Sequence, residues 1–525
     1  MLINSIMIVI FFTVLISVGV YSRKHASGVS SFVLGGRSIG PWFSAIGYGT
    51  AYFSAVVFVG FAGQFGWRYG ISAVWIGLGN AFIGATLGWV VLGRRTRAMT
   101  QHLKSATMPE YFFSRYDSIN LKKLAAIIVF IFMIPYSASI FNGLSRLFSM
   151  AFAIDFRVCI IIMAAIACIY VVVGGYMATV INDAIQGSIM LLGVAMIIFA
   201  VLGTYGGFTG AMQSLANVQL SPVDDVVAQP LLAAPGIFTS MFGPEPINLA
   251  GVVILTSLGV WGLPQMLQKF YVIKNEKVIM PGTIMSTAFC IIVAGGCYFV
   301  GGFARLTAGA VETRPDGSVI FDSIIPAMVS TFPTLLIGLI IIVVLAASIS
   351  TLAACIMSSS ATITLNLVKG HVIKEMSPKS QVTTIRIFVA IFVILSTVVA
   401  VLQYTYNFAF IAQLMGVSWG AMSGALLAPF LYGLYWRKTT KAAVFVNMIF
   451  APLFMVVNFL SQPAIGVFPQ TIFPVLLRSP INAGAFTMLF GLVLVPVLSL
   501  LTRAPDKDYV DNCFSCYENK GTVTD

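Results

Sequence analysis

The feature that most constrains this chain is its series of long apolar segments without charged residues. Of its 525 residues, 59% are hydrophobic and only 9% are charged. Uncharged runs of about eighteen residues or more recur along the chain, and this length suits the hydrocarbon core of a bilayer. The sequence therefore predicts an all-α polytopic membrane protein. The net charge of +12 does not indicate nucleic-acid binding, because the basic residues lie in short clusters between the apolar runs.

The apolar runs predict about thirteen transmembrane helices. Their approximate bounds are 2–22, 41–66, 71–93, 124–146, 157–178, 183–205, 246–268, 279–303, 333–368, 386–403, 408–435, 442–461 and 482–502. We expect a single transmembrane domain over residues 1–503 and a short tail over residues 504–525.

The distribution of basic residues predicts the orientation of these helices. The first span has no basic residue before it and is followed by Arg23 and Lys24, which indicates a true helix with its N-terminus outside rather than a signal peptide. With that orientation the predicted cytoplasmic segments contain 23 of the 29 lysine and arginine residues. We therefore expect a multi-pass protein of the plasma membrane with a cytoplasmic C-terminus.

Asp183 is an acidic residue at the start of a predicted span. The other aspartate and glutamate residues fall in predicted loops, tails or span edges. An ionisable residue inside a membrane is costly and usually functional. The alternative is that Asp183 only caps the helix that begins there, since an acidic residue is favoured at a helix N-terminus. The two roles are compatible.

A second unusual segment is "LAASISTLAACIMSSSATITLNL", residues 345–367, which is rich in hydroxyl groups for a helix in the middle of the chain. Close packing between helices is one explanation, because small and hydroxyl-bearing residues let transmembrane helices approach each other. The other is cation binding. Ser350 and Thr351 follow Ala347 by about one turn, and hydroxyls with a free carbonyl are ligands for a small dehydrated cation.

Two predicted spans contain residues that interrupt helices. The first, 42–66, contains five glycines, and the second includes "SLGVWGLPQMLQ", residues 257–268. Interruptions leave backbone groups unpaired, which is tolerated where they line a cavity or face protein. These spans begin two successive sets of five, residues 41–205 and 246–435, which must enter the membrane in opposite senses. This pattern predicts two inverted repeats of a secondary transporter, with one extra N-terminal helix and two C-terminal helices, 442–502.

Five stretches resemble the sodium:solute symporter family, with greatest similarity to its bacterial sodium/proline and sodium/pantothenate branches. They are "FVLGGRSIGPW", "VVVGGYMATVINDAIQG", "WGLPQMLQKF", "ISTLAACIMSSSATIT" and "PFLYGLYWRKTTKAA". The resemblance runs from about residue 30 to 460 in the family's order and implies a LeuT-like fold around a central solute site. It also implies a sodium-coupled importer of a small organic solute such as an amino acid, pantothenate or another carboxylate.

The resemblance implies specific roles for residues. A sodium site would use the carbonyl oxygens of Thr50, Phe53 and Ala347 and the hydroxyls of Ser350 and Thr351. Asp183 matches an aspartate that receives sodium on its way to the cytoplasm. Residues expected near the solute are Tyr52, Tyr136, Val260, Trp261 and Gln413, of which Trp261 and Gln413 are equally explained by ordinary packing.

The chain departs from the family pattern at positions that bear on the identity of the solute and on the number of sodium ions. Tyr52 stands where proline symporters have an aspartate, and Thr256 and Val260 stand where they have an aromatic pair, so proline is in doubt as the solute. Ala353 and Ala354 replace the hydroxyls of members with a second sodium site. One sodium ion per solute is expected.

Other classes of function have little support in the sequence. The chain has no P-loop motif for ATP-driven transport. We expect no enzyme activity, organic cofactor, transition metal, nucleic acid or obligate protein partner. The pair Cys513 and Cys516 in the tail is weak evidence for metal or redox chemistry. The remaining alternative is a transporter-like membrane sensor or an uncoupled channel.

Overall fold

The computed structural model describes residues 2–22, 29–218, 236–314, 317–370, 372–406 and 408–518. Arg23 and Lys24, which contribute to the predicted orientation, lie outside these ranges, as does much of the loop 206–245. The described residues form helices and connecting loops, with no β-strand among them. The expectation of an all-helical chain is confirmed.

The helices of the first half differ widely in length. They are α1 (Leu2–Ser22), α2 (Val29–Leu34), α3 (Pro41–Tyr52), α4 (Ala62–Tyr69), α5 (Val74–Gly79), α6 (Arg94–His102), α7 (Met108–Tyr116), α8 (Ile119–Phe152), α9 (Phe156–Thr204) and α10 (Gly207–Ala216). Wider π-helical turns at Val56–Phe61 and Asn80–Gly93 connect several of them.

The helices of the second half are between 6 and 30 residues long. They are α11 (Pro246–Gly259), α12 (Pro264–Tyr271), α13 (Ile279–Cys290), α14 (Gly296–Gly301), α15 (Ile324–Ser330), α16 (Thr334–Ile363), α17 (Pro378–Tyr406), α18 (Ile411–Tyr435), α19 (Lys441–Leu460), α20 (Pro480–Leu501) and α21 (Lys507–Phe514).

Ten helical segments of the described chain are long and apolar enough to cross a membrane, or eleven if the bent pair α11 and α12 is one span. The sequence predicts about thirteen spans. The difference arises partly because two predicted spans meet in one continuous run, Val56–His102, and because Phe156–Val172 is a short apolar helix.

Many large apolar side chains on the surface are exposed, as expected for helices that face lipid. Examples are Val9 on α1, Phe199 on α9 and Leu500 on α20. By contrast, α18 is buried along almost its whole length and packs against α8, α19 and α20. It is therefore a central helix of the fold.

Both predicted helix interruptions are present. The first broken helix is α3 followed by Val56–Tyr69, and Phe53 between them has extended backbone. The second broken helix is α11 followed by α12, with a bend of 48° at the break before Pro264.

The two broken helices run in opposite directions beside each other. At one end, Ile39 N donates to Val272 O at 3.2 Å, and near the breaks the Tyr52 hydroxyl donates to Thr256 O at 2.6 Å. Residue numbers therefore rise along one broken helix as they fall along the other.

Asp183 does not lie at a helix start. The helix α9 contains a kink at Gly175, whose positive φ of 61° an L-residue would adopt only with strain. Asp183 follows this kink by about two turns of continuous helix. The alternative that Asp183 only caps the start of a helix is therefore wrong. The sequence places the start of this span at residue 183, several residues beyond the kink at which the straight part of the helix begins.

Candidate functional site

The break in the first broken helix exposes backbone carbonyls toward α16. Phe53 has φ −112° and ψ 124°, so the helical hydrogen-bond pattern stops there. The amide of Ala55 beyond the break donates to the Ser348 hydroxyl on α16 at 3.1 Å. Ser348 in turn donates to Val344 O at 2.6 Å, one turn earlier in the same helix. Ser348 thus fixes the position of the break against α16.

Four oxygen atoms converge at this break. The Thr351 hydroxyl oxygen lies 3.1 Å from Thr50 O, 3.4 Å from Phe53 O and 3.1 Å from Ala347 O. Thr50, Phe53, Ala347 and Thr351 are all fully buried.

These four oxygens suit a small hard cation. A threonine hydroxyl carries one hydrogen, so it cannot satisfy three carbonyl acceptors at once. A cluster with more acceptors than donors, away from water, favours a positive charge. Oxygen ligands without formal charge suit a monovalent hard cation such as sodium, whereas calcium sites usually include carboxylates. The four residues that the sequence analysis assigned to sodium by resemblance therefore lie together and have suitable chemistry.

The fifth predicted ligand, Ser350, has a different contact. Its hydroxyl donates to Oδ1 of Asp183 at 2.6 Å. Ser350 is adjacent in sequence to Thr351, so successive residues of α16 reach the oxygen cluster and the carboxylate of Asp183. The structure thereby connects the predicted sodium site to the predicted release path.

Asp183 also forms a buried ion pair that sequence reasoning missed. Lys269 Nζ lies 2.9 Å from Asp183 Oδ2, and the two side chains are only 5% and 2% exposed. The sequence predicts that this span ends at residue 268, which places Lys269 in a cytoplasmic loop. In the structure α12 continues to Tyr271, so Lys269 is inside the helical bundle. One signal in the sequence could have revealed this. Lys269 follows Pro264 by only five residues, and a half-helix that begins at this proline must extend beyond Lys269 to form two turns.

Gly47 leaves the space in which this ion pair lies. A Cβ atom at Gly47 would be 3.2 Å from Asp183 Oδ2 and 3.3 Å from Lys269 Nζ. The first broken helix therefore packs directly over the pair. The ring of Tyr176 faces Lys269 from another side, with Nζ 5.6 Å from the ring centroid.

Aromatic side chains surround the breaks. The ring of Tyr52 stacks on Phe53 at 4.4 Å, and both Tyr52 and Tyr136 lie near Trp419 of α18, at 6.4 and 5.6 Å between centroids. Two predicted solute residues are therefore brought together by a tryptophan that sequence reasoning did not select. The only signal for Trp419 is its position among small residues in "VSWGAM".

The other predicted solute residues have structural contacts of their own. Val260 lies in the short 3₁₀ turn at the second break and is buried. Trp261 Nε1 donates to Ile83 O at 3.1 Å. Gln413 accepts a hydrogen bond from the amide of Phe410 at 3.0 Å, which caps the start of α18.

These features define a multi-pass helical membrane protein with two opposed broken helices and a buried oxygen cluster at the first break. The model of the sodium:solute symporter family matches residues 32–451. The chain belongs to the sodium:solute symporter family, and its activity is Na⁺-coupled solute symport.

Similar proteins agree with this assignment. The chain is 28% identical over 463 residues to a sodium/proline symporter of Staphylococcus aureus strain JH9, covering 86% of this chain and 85% of that protein. The corresponding protein of strain COL gives the same values. The fold is shared with a solved structure of a Na⁺-coupled sialic acid symporter in a substrate-bound outward-open state, with a TM-score of 0.75, 16% sequence identity and coverage of 96% of this chain and 98% of that one.

Proposed function

We propose that this protein imports a small organic solute across the plasma membrane by alternating access, driven by one sodium ion per solute. The solute class is an amino acid, pantothenate or another carboxylate. The proposed architecture has thirteen spans in one domain, residues 1–503, with inverted repeats over 41–205 and 246–435 and the N-terminus outside. The observation that carries the proposal is the convergence of Thr50, Phe53 and Ala347 carbonyls on the Thr351 hydroxyl.

In this proposal sodium binding couples the two halves of the fold. The carbonyls of Thr50 and Phe53 lie on the first broken helix, whereas the Ala347 carbonyl and the Thr351 hydroxyl lie on α16. An ion held by both elements stabilises the arrangement in which they are close. The solute would bind beside the same break, at Tyr52, Tyr136 and Trp419, so that its binding also depends on the position of the first broken helix.

Asp183 is proposed as the next stop for sodium after this site. Sodium moving from Thr351 toward the cytoplasm would bind the Asp183 carboxylate and displace the Lys269 ammonium group from it. A carboxylate lowers the free energy of a cation in a dry passage, which otherwise would be very costly. The Ser350 hydroxyl donates to Asp183, so a sodium ion that binds this carboxylate would compete with Ser350 as well as with Lys269.

The test is uptake into proteoliposomes that contain the purified full-length chain. Labelled proline, pantothenate, short monocarboxylates and sugars are offered with an inward sodium gradient and with potassium in its place. We expect one class to accumulate only with sodium. Accumulation that is equal in sodium and potassium contradicts sodium coupling, and an ion current without any solute favours the uncoupled channel.

A further inference from the structure

A buried carboxylate at the predicted external end of the molecule is not used in the mechanism above. Asp322 lies in the short turn Phe321–Ser323 just before α15 and is only 6% exposed. Its Oδ1 and Oδ2 accept hydrogen bonds from the amide of Ile411, at 3.4 and 3.3 Å. Ile411 is the first residue of α18. The N-terminus of a helix carries partial positive charge, so this contact attracts α18 to the turn.

The turn touches the first broken helix as well as α18. A Cβ atom at Gly63 would be 3.2 Å from Phe321 O, so no side chain separates the two backbones. A Cβ atom at Gly60, one turn earlier, would be 2.6 Å from the Ile411 side chain. The turn, the first broken helix and the start of α18 therefore meet at one point above the break.

Charged residues surround Asp322 from two other elements. Arg146 at the end of α8 and Arg314 in the segment before the turn line the same recess as Asp322, Asn142 and Gln403. Arg146 also lies 3.6 Å from the exposed Glu312, and Arg314 faces the ring of Phe410 at 4.8 Å. Arg68 of the first broken helix faces the ring of Phe321 at 5.3 Å.

We infer that Asp322 is a positioning residue of the transport cycle, which holds the start of α18 and the first broken helix together when the external side is closed. This inference rests on the proposed alternating access and on the predicted orientation. Opening toward the outside would separate the turn from Ile411 and expose the carboxyl group to water. External protons then bind one state more tightly than the other.

The sign of this effect follows from burial. Desolvation raises the pKa of Asp322 from 3.8 to about 6, although Arg146, the Ile411 amide and Arg314 each lower it. In the open state the carboxyl group is hydrated and its pKa returns toward 3.8. The closed state therefore binds the proton more tightly, and external acid favours closure. Between external pH 7.5 and 5.5 the closed-to-open ratio should rise about fourfold.

Cysteine accessibility tests this without knowledge of the solute. Ala412 is fully buried in the first turn of α18, and Met241 on the same predicted side is 63% exposed. Ala412→Cys and, separately, Met241→Cys are introduced, and labelling by a membrane-impermeant maleimide is measured on cells. The parent chain gives the background of the native cysteines. Dividing the Ala412→Cys rate by the Met241→Cys rate removes the pH dependence of the reagent and corrects for surface expression.

The relative labelling rate at Ala412→Cys should fall by up to about fourfold from pH 7.5 to 5.5. Asp322→Asn resembles the protonated group, so its rate should be low at both values and independent of pH. Asp155→Asn is the matched control, since it removes an exposed carboxylate on the same predicted side and should leave the pH response intact. An unchanged pH response in Asp322→Asn overturns the inference. Because the assay does not measure uptake, this result is separate from failure of sodium coupling.

Discussion

The ammonium group of Lys269 lies 2.9 Å from Oδ2 of Asp183, and both side chains are buried. The pair joins α9 to the second broken helix, with Gly47 of the first broken helix packed against it. A buried ion pair gives little net stability over an apolar pair, but loss of one partner is costly. The pair is therefore suited to a role in which a second cation replaces the first.

Removal of one charge should destabilise the protein more than removal of both. Asp183→Asn leaves the Lys269 ammonium buried without its carboxylate, which should cost about 3–5 kcal/mol. The double variant Asp183→Asn with Lys269→Gln keeps hydrogen-bonding groups and removes both charges. We expect its melting temperature in detergent to recover most of the loss, while sodium-driven uptake stays low. A single variant as stable as the parent contradicts the buried pair.

Gly47→Ala should weaken the same pair by crowding. The new methyl group would be 3.2 Å from Asp183 Oδ2 and 3.3 Å from Lys269 Nζ, which is tighter than ordinary Cβ contacts, so both atoms must give by a few tenths of an ångström. Overpacking of this kind typically costs about 1–3 kcal/mol. Gly19→Ala on α1 is the control, because nothing lies within 4 Å of its added Cβ. The melting temperature should fall for Gly47→Ala and be unchanged or higher for Gly19→Ala, and equal behaviour would exclude steric crowding.

The sequence predicts the helix breaks well because glycine and proline act locally on the backbone. The break at Phe53 and the break before Pro264 both follow from residues within a few positions. The partners of Asp183 could not be predicted in this way, since Lys269 is 86 residues away and Ser350 is 167 residues away. Such contacts depend on packing of three helices. Hydropathy also does not reveal the kink at Gly175, which places Asp183 in the interior of a helix rather than at its start.

Thr351 should control the apparent affinity for sodium. Thr351→Ala removes the only hydroxyl of the four-oxygen cluster, whereas Thr351→Ser keeps it. We expect the half-saturating sodium concentration to rise by about tenfold or more for alanine, which corresponds to about 1.4 kcal/mol of lost binding free energy. Serine should stay within about threefold of the parent, a difference of less than 1 kcal/mol. Uptake at several sodium concentrations measures this, at equal amounts of protein in the membrane.

Substitution of Ser350 should distinguish effects on sodium binding from effects on sodium release. The resemblance assigns Ser350 to the sodium site, but its hydroxyl donates to Asp183 rather than completing the carbonyl cluster. Ser350→Ala should therefore change the half-saturating sodium concentration less than Thr351→Ala does. It should instead alter turnover, because Asp183 loses one hydrogen bond and pairs with Lys269 alone. Net loss of such a bond to a charged group is worth about 1.5–3 kcal/mol, enough for a change of tenfold or more in a rate.

The direct measurement for Ser350 uses binding and uptake on the same preparation. Sodium binding is followed by protection of the protein against thermal unfolding, and turnover by initial uptake of the transported solute. We expect Ser350→Ala to bind sodium nearly as the parent does and to transport slowly, while Thr351→Ala binds sodium weakly. Addition of Ser350→Ala to Asp183→Asn should cause little further loss of turnover, because the carboxylate that Ser350 contacts is already absent. Weak sodium binding in Ser350→Ala would return this residue to the set of direct ligands.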